Sequence, residues 1–388
     1  MKLLVISHAC VTPINQSFYA DVADATGWEI ELVVPEAWKT EYKPTVRAER
    51  WPTFTGDLHT IPVLKPGNIP LHFYKSFIVN LLKQSRPNAI YMHHEPYGAA
   101  TIQWYMANRI AGNVPIGFYA AQNILKKYPI PFRWFEHYVF EHSAFAFPVA
   151  AGALDVLREK GYKARATVLP LPIDLEIYRR QSHWAAQKRR ELGIEQDEFV
   201  IGYLGRLVEE KGLASLLRAC AKLNGKWRCV LVGSGVFDSE LRRLALELGI
   251  TDRIVFPGFV PHQEAPGWFS LFDLFALPSE TRANWKEQFG RVIVEANACE
   301  TVVVGTESGE IGNVIRSTGG GVTVPEANVP ALAAAIQRLI ADPVRRLDLA
   351  ATGARAARTI YDQRHLAREF ASTINAAVAD SKRKGPRK

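Results

Sequence analysis

Several devices that would build a small or metal-centred protein are missing from this sequence. It has four cysteines, Cys10, Cys220, Cys229 and Cys299. None form a C-x-x-C pair or stand at zinc spacing from histidines, which argues against a disulfide scaffold or a zinc finger. Free thiols in a reducing compartment are the plain reading. No apolar run approaches the ~20 residues that a membrane-spanning helix needs. The start, MKLLVISHACV, is too short and too polar at its end for a signal peptide. No Asp-x-Asp occurs, the oxygen pair that Mg²⁺ or Mn²⁺ on a diphosphate would want, so no metal is expected. A basic stripe interleaved with aromatics and a DNA-reading helix are also missing, which speaks against a nucleic-acid partner. The loop after the first strand, SHACVTPINQSF, holds no glycine.

What is present is the composition of a soluble globular protein, with 48% hydrophobic and 22% charged residues. A chain of 388 residues exceeds what one core supports, so two domains are expected. The net charge is +8, and Lys382, Arg383, Lys384, Arg387 and Lys388 crowd the C-terminus. Two readings of that tail stand: a solvated, unstructured end, or an attraction to an anionic membrane surface. The expected location is cytoplasmic, with room for peripheral contact at the inner membrane face.

Short apolar runs alternate with helical spacing. Leu3–Ser7, Glu29–Pro35, Ala89–His94, Pro115–Ala120 and Ala144–Val149 read as strands, with a shorter one near Thr60. Asn15–Ala25, His72–Gln84, Gly98–Ile110 and Phe132–Glu141 read as helices. Leu169–Tyr178 breaks the rhythm with two prolines and reads as a linker. A second alternation follows, with strands at Phe199–Gly205, Cys229–Gly233, Ile254–Phe259, Leu274–Ser279, Val302–Gly305 and Gly321–Val324. Beyond Pro343 the pattern is helical to about Asp380, with a kink near Arg358. The fold class is therefore α/β, with two Rossmann-like parallel-sheet domains facing a cleft. The domains are expected at 1–170 and 171–360, with a helix at about 361–380 returning to the first and a basic tail at 381–388. The aromatic and basic stretches Lys126–Phe140 and His72–Gln84 read as core faces or as a membrane-facing surface.

The most informative stretch is EQFGRVIVE, Glu287 to Glu295. It follows a strand and a polar loop and runs into a helix that begins at Arg291. The first amides of a helix lack intrahelical partners and carry the positive end of its dipole. Gly290 lets an anion come close to them. Glu287 and Glu295 bracket that anion site with carboxylates suited to sugar and ribose hydroxyls. In GRLVEEKG, Arg206 and Lys211 stand beyond another strand end, where two cations can clamp a diphosphate and stabilise it as a leaving group. Both stretches also read as ordinary surface turns when taken singly.

EQFGRVIVEANA resembles the E-x7-E signature of glycosyltransferase family four, the retaining GT-B glycosyltransferases. GRLVEEKG is similar to that family's phosphate-binding Arg and Lys. The resemblance implies a GT-B fold and a hexosyltransferase-like enzyme. It implies catalytic roles for Arg206, Lys211 and Glu287, and donor binding by Phe289, Gly290, Arg291 and Glu295. It also implies that the G-x-G turn at Gly233 lets the nucleotide approach and that the backbone at Val260 meets the nucleobase. In the first domain, MHHEPYG resembles a family strand end, so His93, His94 and Glu95 are expected to face the acceptor. A strand-end histidine can equally be structural. Asn15 and Gln16 would offer donors at a helix start, in place of the family's glycine loop. Gln122 or Asn123 would stand where many relatives carry a histidine. No cofactor is implied beyond a nucleoside-diphosphate sugar as co-substrate, and the acceptor is a saccharide or lipid-linked molecule. Other GT-B activities, such as a sugar-nucleotide epimerase or a phosphorylase, and a non-catalytic carbohydrate-binding protein remain alternative readings.

Overall fold

The computed structural model describes residues 1–39 and 45–384. The chain divides after Pro170 and again after Asp362 into two compact units, and the helix Gln363–Lys384 belongs to the first.

The first unit is built on a seven-stranded parallel sheet. Its order is Arg165–Ala166, Phe145–Pro148, Ile116–Ala120, Ala89–Met92, Lys2–Ile6, Glu29–Pro35 and Asp57–Ile61. The central strands are apolar along their length because helices cover both faces. Alternate residues supply two separate cores. Leu3, Val5, Leu32, Val34, Tyr91, Phe145 and Phe147 face one core, joined there by residues of Ser17–Thr26 and of Gln363–Lys384. Leu4, Ile6, Val33, Ile90, Met92, Phe118 and Ala146 face the other, with Ile78–Ser85, Ala99–Ala111 and Phe132–His142. Phe370, on the C-terminal helix, is wholly buried and sits 4.8 Å ring to ring from Phe147 and 5.1 Å from Tyr91.

The second unit has a six-stranded parallel sheet. Its order is Ile254–Gly258, Trp227–Val232, Phe199–Leu204, Leu274–Leu277, Val302–Thr306 and Gly321–Val324. In both sheets the first strand lies inside the sheet. The chain first builds outward on one side of it, then returns to start on the other side. The strand order thus reverses between Lys2–Ile6 and Ala89–Met92 in the first unit. In the second it reverses between Phe199–Leu204 and Leu274–Leu277.

Two local expectations are corrected. The helix expected over His72–Gln84 begins only at Ile78, because Phe73–Tyr74 pairs antiparallel with Val63–Leu64. Amphipathic spacing does not register that competing ladder. The basic tail is helical as far as Lys384, continuing the last helix, while Arg387 and Lys388 lie outside the described residues. Among the described residues no helix is long and apolar enough to cross a membrane.

Phe370→Ala removes a ring from the first core and should cost that unit about 3–5 kcal/mol. Native-state hydrogen exchange should show lost protection in the strands Lys2–Ile6 and Ala89–Met92, with Phe199–Leu204 unaffected. Equal loss in both units would contradict the assignment of this helix to the first.

Candidate active site

In a parallel sheet every strand ends on the same edge, and a ligand crevice opens there where the strand order reverses. In the second unit the loops after Phe199–Leu204 and Leu274–Leu277 flank that point. They are joined backbone to backbone: Glu280 N–H donates to Glu210 O at 2.9 Å. Gly212 has φ +65°, and a Cβ there would fall 1.9 Å from Pro278 O, so only glycine lets the loops touch. A third loop braces them from the strand Val302–Thr306. Gly309 has φ +56°, and its Cβ would lie 2.0 Å from Glu287 O; Glu310 N–H donates to the same oxygen at 3.1 Å.

Within this frame Lys211 Nζ meets Glu287 Oε2 at 2.5 Å, and both side chains are largely buried. Ser279 Oγ lies 3.3 Å from the same carboxylate oxygen, and the ammonium sits 4.9 Å from the Trp285 ring centre. Arg206 precedes Lys211 on the same loop, and its guanidinium contacts Glu210 at 3.8 Å. The Tyr203 hydroxyl donates to Arg206 O at 2.8 Å and fixes the backbone where the strand ends. Arg282 bridges Glu280 at 3.1 Å and Glu209 at 3.3 Å, a second cross-loop tie.

Gly290 stands ahead of the helix Arg291–Ala298 with φ +79° and ψ 50°, the left-handed region that favours glycine. Phe289 is buried, its ring 6.0 Å from Tyr361. Glu295 is only 3% exposed, and its carboxylate meets Arg291 Nε at 2.8 Å. Glu295, expected to bind the donor, is thus buried and already paired. The i, i+4 spacing puts a cation over it. Tyr178 and His262 complete this cluster, hydroxyl to Nε2 at 3.0 Å. Burial lowers the His262 pKa below the ordinary imidazole value, with Glu295 opposing and Arg291 adding to the shift. Burial also raises Tyr178, and Glu295 reinforces that. Gly233 is held against the neighbouring loop: a Cβ there would meet Gly205 O at 1.8 Å. Its glycine is thus required by the packing of two strand ends, whatever approaches from outside. Val260 is half-buried in the loop after Ile254–Gly258.

The first-unit candidates divide. Gln16 is fully buried, and its amide is spent internally. Nε2 donates to Cys10 O at 2.8 Å and Glu49 O at 2.7 Å, and Oε1 accepts from Trp51 N–H at 2.8 Å. Asn15 Nδ2 likewise donates to Ala9 O at 2.8 Å. These two residues shape the glycine-free loop, a correction to the expectation that they offer donors to a ligand. Gln122 Oε1 accepts from Ile124 N–H at 2.9 Å, and Asn123 is buried. Glu95 accepts from Ala121 N–H at 2.8 Å, and desolvation lifts its carboxyl to about 7, which leaves it part protonated at neutral pH. His93 Nδ1 lies 3.0 Å from the Tyr19 hydroxyl and 3.2 Å from Ser7 Oγ. His94 is buried beside His8 and His72.

Sequence reasoning missed Ser279, His262, His8 and His72 as members of these clusters. No local pattern marks His262, His8 and His72, since their partners are distant along the chain.

Residues 185–356 match the family model described as glycosyl transferases group 1. A GDP-mannose-dependent alpha-(1-6)-phosphatidylinositol monomannoside mannosyltransferase of Mycolicibacterium smegmatis is 31% identical over 198 residues, 50% of this chain and 52% of that protein. The chain thus spans about half the length of that curated relative. Alpha-D-kanosaminyltransferase of Streptomyces kanamyceticus is 26% identical over 280 residues, 68% of this chain and 71% of that protein. The solved structure of Anabaena HepE in complex with UDP superposes with a TM-score of 0.75 at 19% identity, covering 97% of this chain and 100% of that one. That likeness shows the fold, two parallel-sheet α/β units of the GT-B type. The segment that matches the glycosyl transferases group 1 family contains Arg206, Lys211, Glu287, Gly290 and Glu295.

Proposed function

We propose that this chain is a metal-independent, retaining glycosyltransferase. It moves a sugar from a nucleoside-diphosphate sugar to a saccharide or lipid-linked acceptor that the first unit binds. The observation that carries the reading is the assembly at the second unit's order reversal. Two cations of one loop, a carboxylate of the next and a glycine-led helix start are stitched together there by backbone bonds and an ion pair.

In the transfer, the bond from the sugar's anomeric carbon to the diphosphate oxygen breaks, a bond to an acceptor hydroxyl oxygen forms, and the hydroxyl proton passes to the departing diphosphate. Negative charge grows on the departing diphosphate. Arg206 and Lys211 neutralise that charge in a water-poor site, helped by the amides near Phe289 and Gly290. Glu287 exchanges part of its hold on Lys211 for donor-sugar hydroxyls, and Glu295 exchanges part of its hold on Arg291 for the ribose. Because the two cations and the helix end supply the positive charge, the diphosphate needs no Mg²⁺ or Mn²⁺. The relative named above for GDP-mannose and the neighbour solved with UDP support a nucleoside-diphosphate donor class. On the first unit, Phe77 is 84% and Ile130 77% exposed, and Trp134, Lys127 and Arg133 are exposed too. The apolar and basic groups exposed over residues 127–134 support a lipid-linked acceptor and peripheral contact with an anionic membrane, hence a place in polysaccharide or glycolipid assembly.

Nucleotide release from a panel of UDP- and GDP-sugars, with and without acceptors, tests the reading. Product formed from the nucleotide sugar without acceptor would indicate an epimerase instead, and binding without turnover a carbohydrate-binding protein. Arg206→Ala should lower kcat by roughly 10²–10³-fold while leaving the melting temperature nearly unchanged. Unchanged turnover would remove Arg206 from the mechanism. Added Mg²⁺ or Mn²⁺ should not raise turnover of the purified protein; strong activation would place a metal on the diphosphate. Gly309→Ala forces a Cβ against Glu287 O, so it should cut turnover about tenfold or more, with circular dichroism unaltered.

A further inference from the structure

His8, His72 and His94 arrive from three separate stretches. His8 follows the strand Lys2–Ile6 and His94 follows Ala89–Met92, the two strands that flank the order reversal of the first unit. His72 precedes the short strand Phe73–Tyr74. One ring nitrogen of each lies within 4.8 Å of the others. His8 Nδ1 and His94 Nδ1 are 3.3 Å apart. The His72 and His94 rings stack at 5.0 Å, and Trp38 closes one side at 4.9 Å from both His8 and His72.

The tautomer of His72 is set by its surroundings. Its Nδ1 faces Ile69 O at 2.9 Å and Asn68 O at 3.2 Å. A carbonyl oxygen only accepts, so Nδ1 carries the proton and Nε2 keeps a bare lone pair. An imidazole oriented through one nitrogen by a backbone carbonyl, with the other left bare, is the usual arrangement of a metal-ligating histidine. His72 Nε2 is buried with no hydrogen-bond partner among the described residues, and so is His94 Nε2. Buried polar atoms are rarely left in that state. Burial also lowers the pKa of all three imidazoles, which keeps them in the neutral, ligating form.

We propose that His8, His72 and His94 form a three-imidazole site for a divalent transition ion of the zinc class. Neutral nitrogen donors without a carboxylate in the set favour Zn²⁺, Co²⁺, Ni²⁺ or Cu²⁺ over Mg²⁺ or Ca²⁺. Three protein ligands leave the fourth position for water or an anionic ligand. The site lies at the crevice where an α/β sheet takes its ligands, and half-buried His8 leaves a way in. A second cluster, Glu31, Asp57 and His59, also has metal-ligand types, but Lys2 already holds Glu31 at 2.8 Å. The inference does not depend on the proposed transfer reaction, which uses none of the three histidines.

Untagged, metal-stripped full-length protein titrated with Co²⁺ tests it. One equivalent should bind with the intense visible absorption of a tetrahedral cobalt centre, and Zn²⁺ should displace it. His72→Gln or His94→Gln should each weaken binding at least tenfold, while His59→Gln leaves it unchanged. If either buried variant fails to fold by far-UV circular dichroism, His8→Gln takes its place with the same expected loss. No tetrahedral band in the unaltered protein, a band that survives these substitutions, or one lost in His59→Gln would overturn the proposal.

Discussion

Parallel pairing is the constraint on which the rest of this protein depends. Each of the two large sheets runs every strand in one direction, so the loops that follow its strands collect on one edge. Where the order reverses, two of those loops part to opposite sides and leave a crevice. The second unit places Arg206, Lys211, Glu287 and Gly290 on the loops beside that point. The first unit places His8 and His94 on the equivalent loops. Both clusters follow from one topological rule, applied to two sheets with different loop chemistry.

The Lys211–Glu287 ion pair shows how the second site is held in readiness. A largely buried pair recovers little net stability, because desolvating both ions costs about as much as their attraction returns. Its effect here is registration. It joins two loops 76 residues apart, and Gly212 and Gly309 lock the backbone on either side. The same burial strengthens any interaction with an incoming charge.

Much of this was legible in the sequence, for identifiable reasons. Strands buried on both faces are largely apolar runs, so Glu29–Pro35 is found at the residues expected. The start of the helix at Arg291 was legible because glycine marks the backbone that precedes it. The stretch Phe73–Tyr74 was not, because a two-residue strand is decided by its partner, Val63–Leu64, and not by its own spacing. Gln16 was misread for a similar reason. A polar residue near a helix start looks like a donor for ligands until the fold wraps Glu49 and Trp51 around it.

By itself the sequence determined the class of fold and the two-unit division, since these rest on local periodicity, and it picked out the charged residues Arg206, Lys211 and Glu287 because their motifs are contiguous in the chain. The tertiary structure alone decided which charges are already paired. Glu295 is covered by Arg291, and Lys211 is held by Glu287. It alone gathered His8, His72 and His94, separated by long stretches of chain, around one point. Side-chain neutralisation and ligand geometry depend on distances through space, and in a parallel α/β sheet those are set by the order in which strands are inserted.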